Sequence, residues 1–150
     1  MQTRTGQFFE VTLSYNKTQE DGGLKKVCEV FAIDAMSFSE AEAKMIKEAE
    51  AYHYDDYSVK AIKKANYKEV FFGDDDDDDI KYYVSTLSFI SIDEKSEKEK
   101  RSNVNYLVMA SNIKAAIRHI DEVMGKTMID YESISVKESK VVDVFMHDDK

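Results

Sequence analysis

Residues 12–15 read TLSY and residues 86–89 read TLSF, and the spacing between them, 74 residues from Tyr15 to Phe89, decides how the chain is read. The same offset carries Tyr57 to Tyr131, Glu69-Val70-Phe71-Phe72 to Asp143-Val144-Phe145-Met146, and Asp74-Asp75 to Asp148-Asp149. Ala32-Ile33-Asp34-Ala35 meets Leu107-Val108-Met109-Ala110 at 75, one loop residue more. Each match is short, but a shared offset is the mark of an internal repeat. Alternating strands also match by chance, so the repeat stands as an expectation: residues 8–72 and 82–146 should follow the same order of elements.

Within the first half, Phe9, Val11, Leu13 and Tyr15 alternate with Glu10, Thr12 and Ser14, the period-two pattern of a half-buried strand. Val27–Asp34 answers it across a loop ending in Gly22-Gly23. Ser39-Glu40-Ala41-Glu42 fits a capping box with Phe38 as its staple, and Ala41, Met45, Ile46 and Ala49 mark the buried face of the helix that follows. Tyr57–Ile62 and Tyr67–Phe72 return to extended chain. The second half repeats the order: strands at Tyr83–Ile92 and Asn105–Ala110 flank the charged Asp93–Arg101, and a helix follows from Ser111. Gly125 stands where a helix stop belongs, and strands at Tyr131–Val136 and Val141–Met146 close the chain. The expected class is α+β, a tandem pseudo-twofold repeat of a β-β-α-β(β) unit with antiparallel or mixed sheets and two helices. The expected organisation is a single compact domain of two repeats, 8–72 and 82–146, joined by an acidic linker at 73–80.

The 150 residues suffice for a core that needs no disulfide or metal. One cysteine, Cys28, cannot pair within the chain, which fits a reducing compartment or a buried small apolar residue. No stretch reads as a signal peptide or membrane span, so the expected location is the cytoplasm, that of the host cell if a phage encodes it. Net charge is −9, yet six of the negative charges lie in residues 74–79, leaving −3 for the rest. That balance argues against nucleic-acid or membrane binding by the whole surface and leaves room for a local basic face.

FFEVTLSY (8–15), DAMSFSEAEAKMIKEAE (34–50) and SVKAIKKANYKEVFF (58–72) carry a family resemblance. Together they resemble a domain of unknown function found in small proteins of gut Bacteroidota and their phages. The resemblance covers most of the chain and is clearest over residues 8–72. Its motifs are structural, and it implies a phage or mobile-element setting without implying a mechanism.

The most chemically loaded stretch is the run Asp74, Asp75, Asp76, Asp77, Asp78 and Asp79. A calcium loop needs glycine at its sixth position and glutamate at its twelfth. Starting at Asp74 these are Asp79 and Ser85; starting at Asp75 they are Ile80 and Thr86. Both frames fail. Consecutive carboxylates repel, so the run reads as a solvated linker, with weak divalent-ion binding or an acidic patch that faces a partner as the alternatives. His53 and His147 stand beside aspartates without the compact spacing of a metal site, and His119 sits at the edge of the second helix's apolar stripe. No metal and no cofactor is expected.

Nucleophile elbows, phosphate loops and dinucleotide glycine fingerprints do not occur, and there are five glycines in all. The expectation is therefore a non-enzymatic interaction or regulatory protein, of the phage or mobile-element type, binding another protein or a second copy of itself. The alternative is a single-stranded nucleic-acid binder. Lys60, Lys63, Lys64 and Lys68 cluster near Tyr57 and Tyr67, and a sheet face carrying both could stack bases and track phosphates, with the acidic segments as modulators.

Overall fold

The computed structural model describes residues 2–73 and 80–146; Met1, Asp74–Asp79 and His147–Lys150 lie outside the described residues. The elements run β1 (Gln2–Thr5), β2 (Phe8–Thr18), β3 (Leu24–Asp34), α1 (Phe38–Ala51), β4 (Asp55–Lys64) and β5 (Glu69–Phe72). Then follow β6 (Lys81–Ile92), β7 (Glu99–Ala110), α2 (Ile113–Met124), β8 (Asp130–Glu138) and β9 (Val141–Phe145). Two helices and mixed sheets make the class α+β, as the periodicities predict. No helix among the described residues is long and apolar enough to cross a membrane.

The chain divides into two units, and neither is a continuous half. Unit 1 comprises Met1–Thr5 and Tyr67–Ser139, and unit 2 comprises Gly6–Asn66 and Lys140–Lys150.

In unit 2 the sheet order is β4-β2-β3-β9. β2 and β3 form a long antiparallel hairpin from Phe8↔Asp34 to Thr18↔Leu24, β4 runs antiparallel to β2, and β9 runs parallel to β3. Alternation places Phe9, Val11, Leu13 and Tyr15 of β2 with Phe31 and Ile33 of β3 on one face. Ala41, Met45 and Ala49 of α1, spaced four apart, close over that face. The cap is Ser37, two residues before the expected Ser39. Ser37 Oγ accepts from the Glu40 amide at 3.1 Å, while Glu40 Oε2 accepts from the Met36 amide at 2.8 Å. Phe38 explains the shift: as the first helical residue it sets its ring edge-on to Phe9, centroids 5.0 Å apart, which anchors the first turn over the sheet.

In unit 1 the order is β1-β5-β7-β6-β8. β6 and β7 pair from Lys81↔Ala110 to Ile92↔Glu99, β8 is antiparallel to β6, β5 is parallel to β7, and β1 extends the sheet antiparallel to β5. Tyr83, Leu87, Tyr106 and Val108 meet Ala116, Ile120 and Met124 of α2, and Phe71 of β5 stacks on Tyr106 at 4.8 Å. Asn112, one residue beyond the expected Ser111, caps α2 by accepting from the Ala115 amide at 2.8 Å. Gly125 does end α2, but in right-handed backbone (φ −63°). Glycine is needed there for room, because a Cβ would lie 2.8 Å from the Asp121 carbonyl oxygen.

Several strand pairings recur in both units at the expected offset. Leu13↔Glu29 has its counterpart in Leu87↔Val104, and Val11↔Ile62 in Ser85↔Val136. Phe145↔Ile33 corresponds to Phe71↔Val108. The bulge between Thr12 and Leu13 recurs between Thr86 and Leu87. Each correspondence keeps the offset of 74, or 75 at the second strand and the helix.

One expectation is corrected. Glu69–Phe72 was expected to close the first repeat, and it lies instead in the sheet of the second, while β9 lies in the sheet of the first. Strand direction explains the exchange. β4 runs the same way as β3, so filling the parallel slot beside β3 would require the chain to travel back along the ten residues of β4, roughly 30 Å. The four residues between β4 and β5 span at most about 14 Å. A parallel neighbour needs a crossover of about a dozen residues or more, and the two residues between β8 and β9 fall shorter still. Neither half can complete its own sheet.

Candidate functional site

Of the residues expected to make a basic face, the four lysines are exposed and Tyr67 is buried. Lys60, Lys63 and Lys64 are exposed on β4, an outer strand of the unit 2 sheet. Lys60 is the extra residue of the bulge, between Thr12↔Ala61 and Leu13↔Val59, and Lys63 pairs with Glu10 at 3.4 Å. Lysines and a bulge on an outer strand are how sheets discourage the addition of another strand. Lys68 is exposed but belongs to unit 1. Tyr67, also in unit 1, is 1% exposed and has no face to offer a base. Tyr57 turns toward α1 and donates to Glu50 Oε1 at 3.0 Å; that bond, loss of water and the charge of the same carboxylate raise its hydroxyl above the ordinary tyrosine range. Tyr67 is buried and Tyr57 is bonded to Glu50, whereas the lysines of β4 are exposed.

The proposed partner-facing aspartates 74–79 lie outside the described residues. His119, expected at the edge of the stripe, is buried at 4% exposure, with Nδ1 3.0 Å from the Met109 carbonyl oxygen. Gly73 packs on its ring so closely that a Cβ would fall 2.5 Å from Cε1. His119 is a packing residue of unit 1. Cys28 is exposed rather than buried. Among the described residues no cluster of three or more His, Cys, Asp or Glu is placed to hold a metal ion.

A different group of residues converges in unit 2, where α1 ends over the sheet. Period-two alternation puts Glu29 and Phe31 of β3 on the helix-facing side with Leu13 and Tyr15. The parallel register of β9 sets Asp143 beside Phe31 and Phe145 beside Ile33. The chain leaving α1 then doubles back. His53 adopts φ 56°, and the Tyr54 amide donates to the Ala49 carbonyl at 2.9 Å. That turn lays Tyr54 flat on Tyr15, centroids 4.2 Å apart and planes 14° apart.

Four rings then close a circuit. Tyr54 to Tyr52 is 5.8 Å, Tyr52 to Phe145 is 6.3 Å, Phe145 to Phe31 is 5.2 Å, and Phe31 to Tyr54 is 6.4 Å. Tyr52 is the open member, 58% exposed. Carboxylates surround the circuit. The Tyr15 hydroxyl donates to Glu29 Oε1. Burial raises the Tyr54 hydroxyl above its ordinary range, and Glu29, Tyr52, Asp143 and Glu48 push it further in the same direction. Lys17 reaches Glu29 at 3.7 Å. The last turn of α1 has no basic residue and ends in Glu48 and Glu50. Carboxylates there oppose the helix dipole, whose C-terminal end is already negative.

Unit 1 shows that the fold does not require this arrangement. The Phe31–Phe145 stack has its equivalent in Tyr106–Phe71. Glu29 and Glu48, however, correspond to Val104 and Val123, which pack on the unit 1 core. The loop after α2, residues 125–129, has no aromatic side chain where unit 2 has Tyr52 and Tyr54. Half-buried carboxylates beside aromatic rings cost desolvation that valines avoid. The available signal was the contrast between the repeats, Glu against Val at two aligned positions, rather than any motif within one of them.

The same geometry sets a pH dependence. Burial, and for Tyr15 the bond to Glu29, raise Tyr15 and Tyr54 above their ordinary value of 10.0. The native state thus favours the neutral phenols. Their contribution to stability is whole below pH 10 and is lost as pH rises beyond it. An ultraviolet tyrosinate titration should show a group of tyrosines ionising only in strong alkali, diminished by Tyr15→Phe and Tyr54→Phe.

Over residues 7–147 the chain matches the family described as Domain of unknown function (DUF4494), and it belongs to that family. No curated protein and no solved structure matches it.

Proposed function

We propose that this member of the DUF4494 family is a non-enzymatic interaction protein that binds another protein, with the aromatic–carboxylate cluster of unit 2 as its contact surface. The supporting observation is the contrast between units. Glu29 and Glu48 with Tyr52 and Tyr54 stand where unit 1 builds the same corner from valines and a loop without rings. Exposed tyrosines are strong anchors at protein interfaces, because they bury a large area at little entropic cost. Negative charge steers a basic partner toward the patch, in keeping with the chain's net charge of −9. The resemblance in residues 8–72 supports a phage or mobile-element setting.

The test is capture from such cells with the immobilised full chain and its Tyr52→Ala variant. The expected result is a protein retained in fixed stoichiometry by the first and lost by the second. The same set of proteins on both would count against the cluster, and recovery of only the chain itself would replace the reading with self-association.

A further inference from the structure

Resting on that reading, we infer that the cluster receives a cationic side chain of the partner, an arginine, whose guanidinium lies on the Tyr52 ring and pairs with the carboxylates beside it. The faces of tyrosine rings are electron-rich, and a cation within about 6 Å of a ring centroid is held by that quadrupole. Tyr52 is more than half exposed, and Tyr54 and Phe145 stack with it, their planes within 26° of its own. Those near-parallel rings present flat surface, which suits a planar group.

The charge balance is equally specific. Glu29, Glu48 and Asp143 all act on the Tyr54 hydroxyl, and Glu50 shares the last helical turn with Glu48. Of these, Glu50 is engaged by Tyr57, and Glu29 by Tyr15 and Lys17. Asp143 accepts from the Val144 amide at 2.8 Å through Oδ1, which leaves Oδ2 for a further donor. The α1 dipole adds negative potential at the same point. An arginine answers each feature. Its guanidinium is planar, stacks on aromatic faces, forks onto carboxylates, and gives up its hydration more readily than an ammonium.

The experiment is an NMR titration of the full chain with ring-labelled tyrosine. The probes are three blocked tripeptides, Gly-Arg-Gly, Gly-Lys-Gly and Gly-citrulline-Gly. The arginine peptide should shift the Tyr52 and Tyr54 ring signals saturably, with a dissociation constant on the order of millimolar. The lysine peptide should bind more weakly. The citrulline peptide, of nearly the same shape without the charge, should not bind. Tyr52→Ala should weaken the arginine response about fivefold or more, and Glu48→Gln together with Asp143→Asn should reduce its salt dependence. Because Tyr52 is exposed, the alanine variant keeps its core, which the amide spectrum of β2 and β3 will verify.

Equal shifts with citrulline, or no loss on Tyr52→Ala, would overturn the inference. If the tripeptides fail while a captured protein still depends on Tyr52, the arginine is wrong and the protein-binding reading stands. If both fail, both fall.

Discussion

Cutting the chain inside Asp74–Asp79 leaves its two fragments bound to one another. A protease recognition sequence placed there and cleaved in the native state should give a 1:1 non-covalent complex that co-elutes and unfolds in one step of association. The reason is the reciprocal placement of β5 and β9. The N-terminal fragment inserts Tyr67, Val70 and Phe71, each at most 1% exposed, into unit 1. The C-terminal fragment inserts Val141, 4% exposed, and Phe145, stacked on Phe31, into unit 2. Joining two chains costs about 4–15 kcal/mol, and each fully buried side chain of this size returns about 1.5–3 kcal/mol. Two separate insertions therefore hold the complex at concentrations on the order of micromolar. Two halves that each kept their own last strand would drift apart after cleavage, and separation on gel filtration in native buffer is the result that would reject the exchange.

A chain ending at Lys140 loses the stability of unit 2 ahead of unit 1. Without β9, the outer edge of β3 loses its parallel ladder, and Phe31, 2% exposed in the intact fold, loses the ring stacked on it. Removing a large aromatic from a packed corner costs about 3–5 kcal/mol. Hydrogen exchange reads the difference by place. Protection on β3 should collapse, while β7, which pairs with β5 and β6, should keep its own. The point variant Phe145→Ala should show the same pattern at a smaller size, about 2–3 kcal/mol, because its side chain is half-buried. Equal loss on β3 and β7 would mean that β9 does not act through the sheet it joins. Tyr52 also stacks on Phe145, at 6.3 Å, so either change should disturb the candidate contact surface.

Much of the architecture was legible in the residues because it rests on local periodicity. Phe9, Val11, Leu13 and Tyr15 alternate, and the structure buries all four on the helix side of β2. Ala41, Met45 and Ala49 recur every four residues, and all three are buried under α1. Cap positions were legible only to within a residue or two. Ser37 and Ser39 are equivalent to a pattern, and the packing of Phe38 on Phe9 selects Ser37. β1 lacked any alternation that would mark it as a strand, and it exists because β5 leaves an edge for it.

The candidate site was the least legible part. Lysines 60, 63 and 64 with Tyr57 and Tyr67 looked like a binding face because they are neighbours in number. Number does not show that Tyr67 is buried or that Tyr57 turns toward Glu50. The cluster that does assemble draws on β2, β3, α1, the turn after it, and β9, so residues 15 and 145 meet around one corner. No spacing rule reaches across that distance.

Residue pattern alone carried the α+β class, the order of hairpin, helix and strands from β2 to β9, and the buried faces of β2 and α1. These follow from side-chain period and turn chemistry, which act over a few residues. Only the tertiary structure decided where β5 and β9 go, and with them the corner where Tyr52, Tyr54 and Phe145 meet. That decision belongs to strand direction and connection length. A link of four residues cannot carry the chain back along a strand of ten, so each half lends its last strand to the other half's sheet.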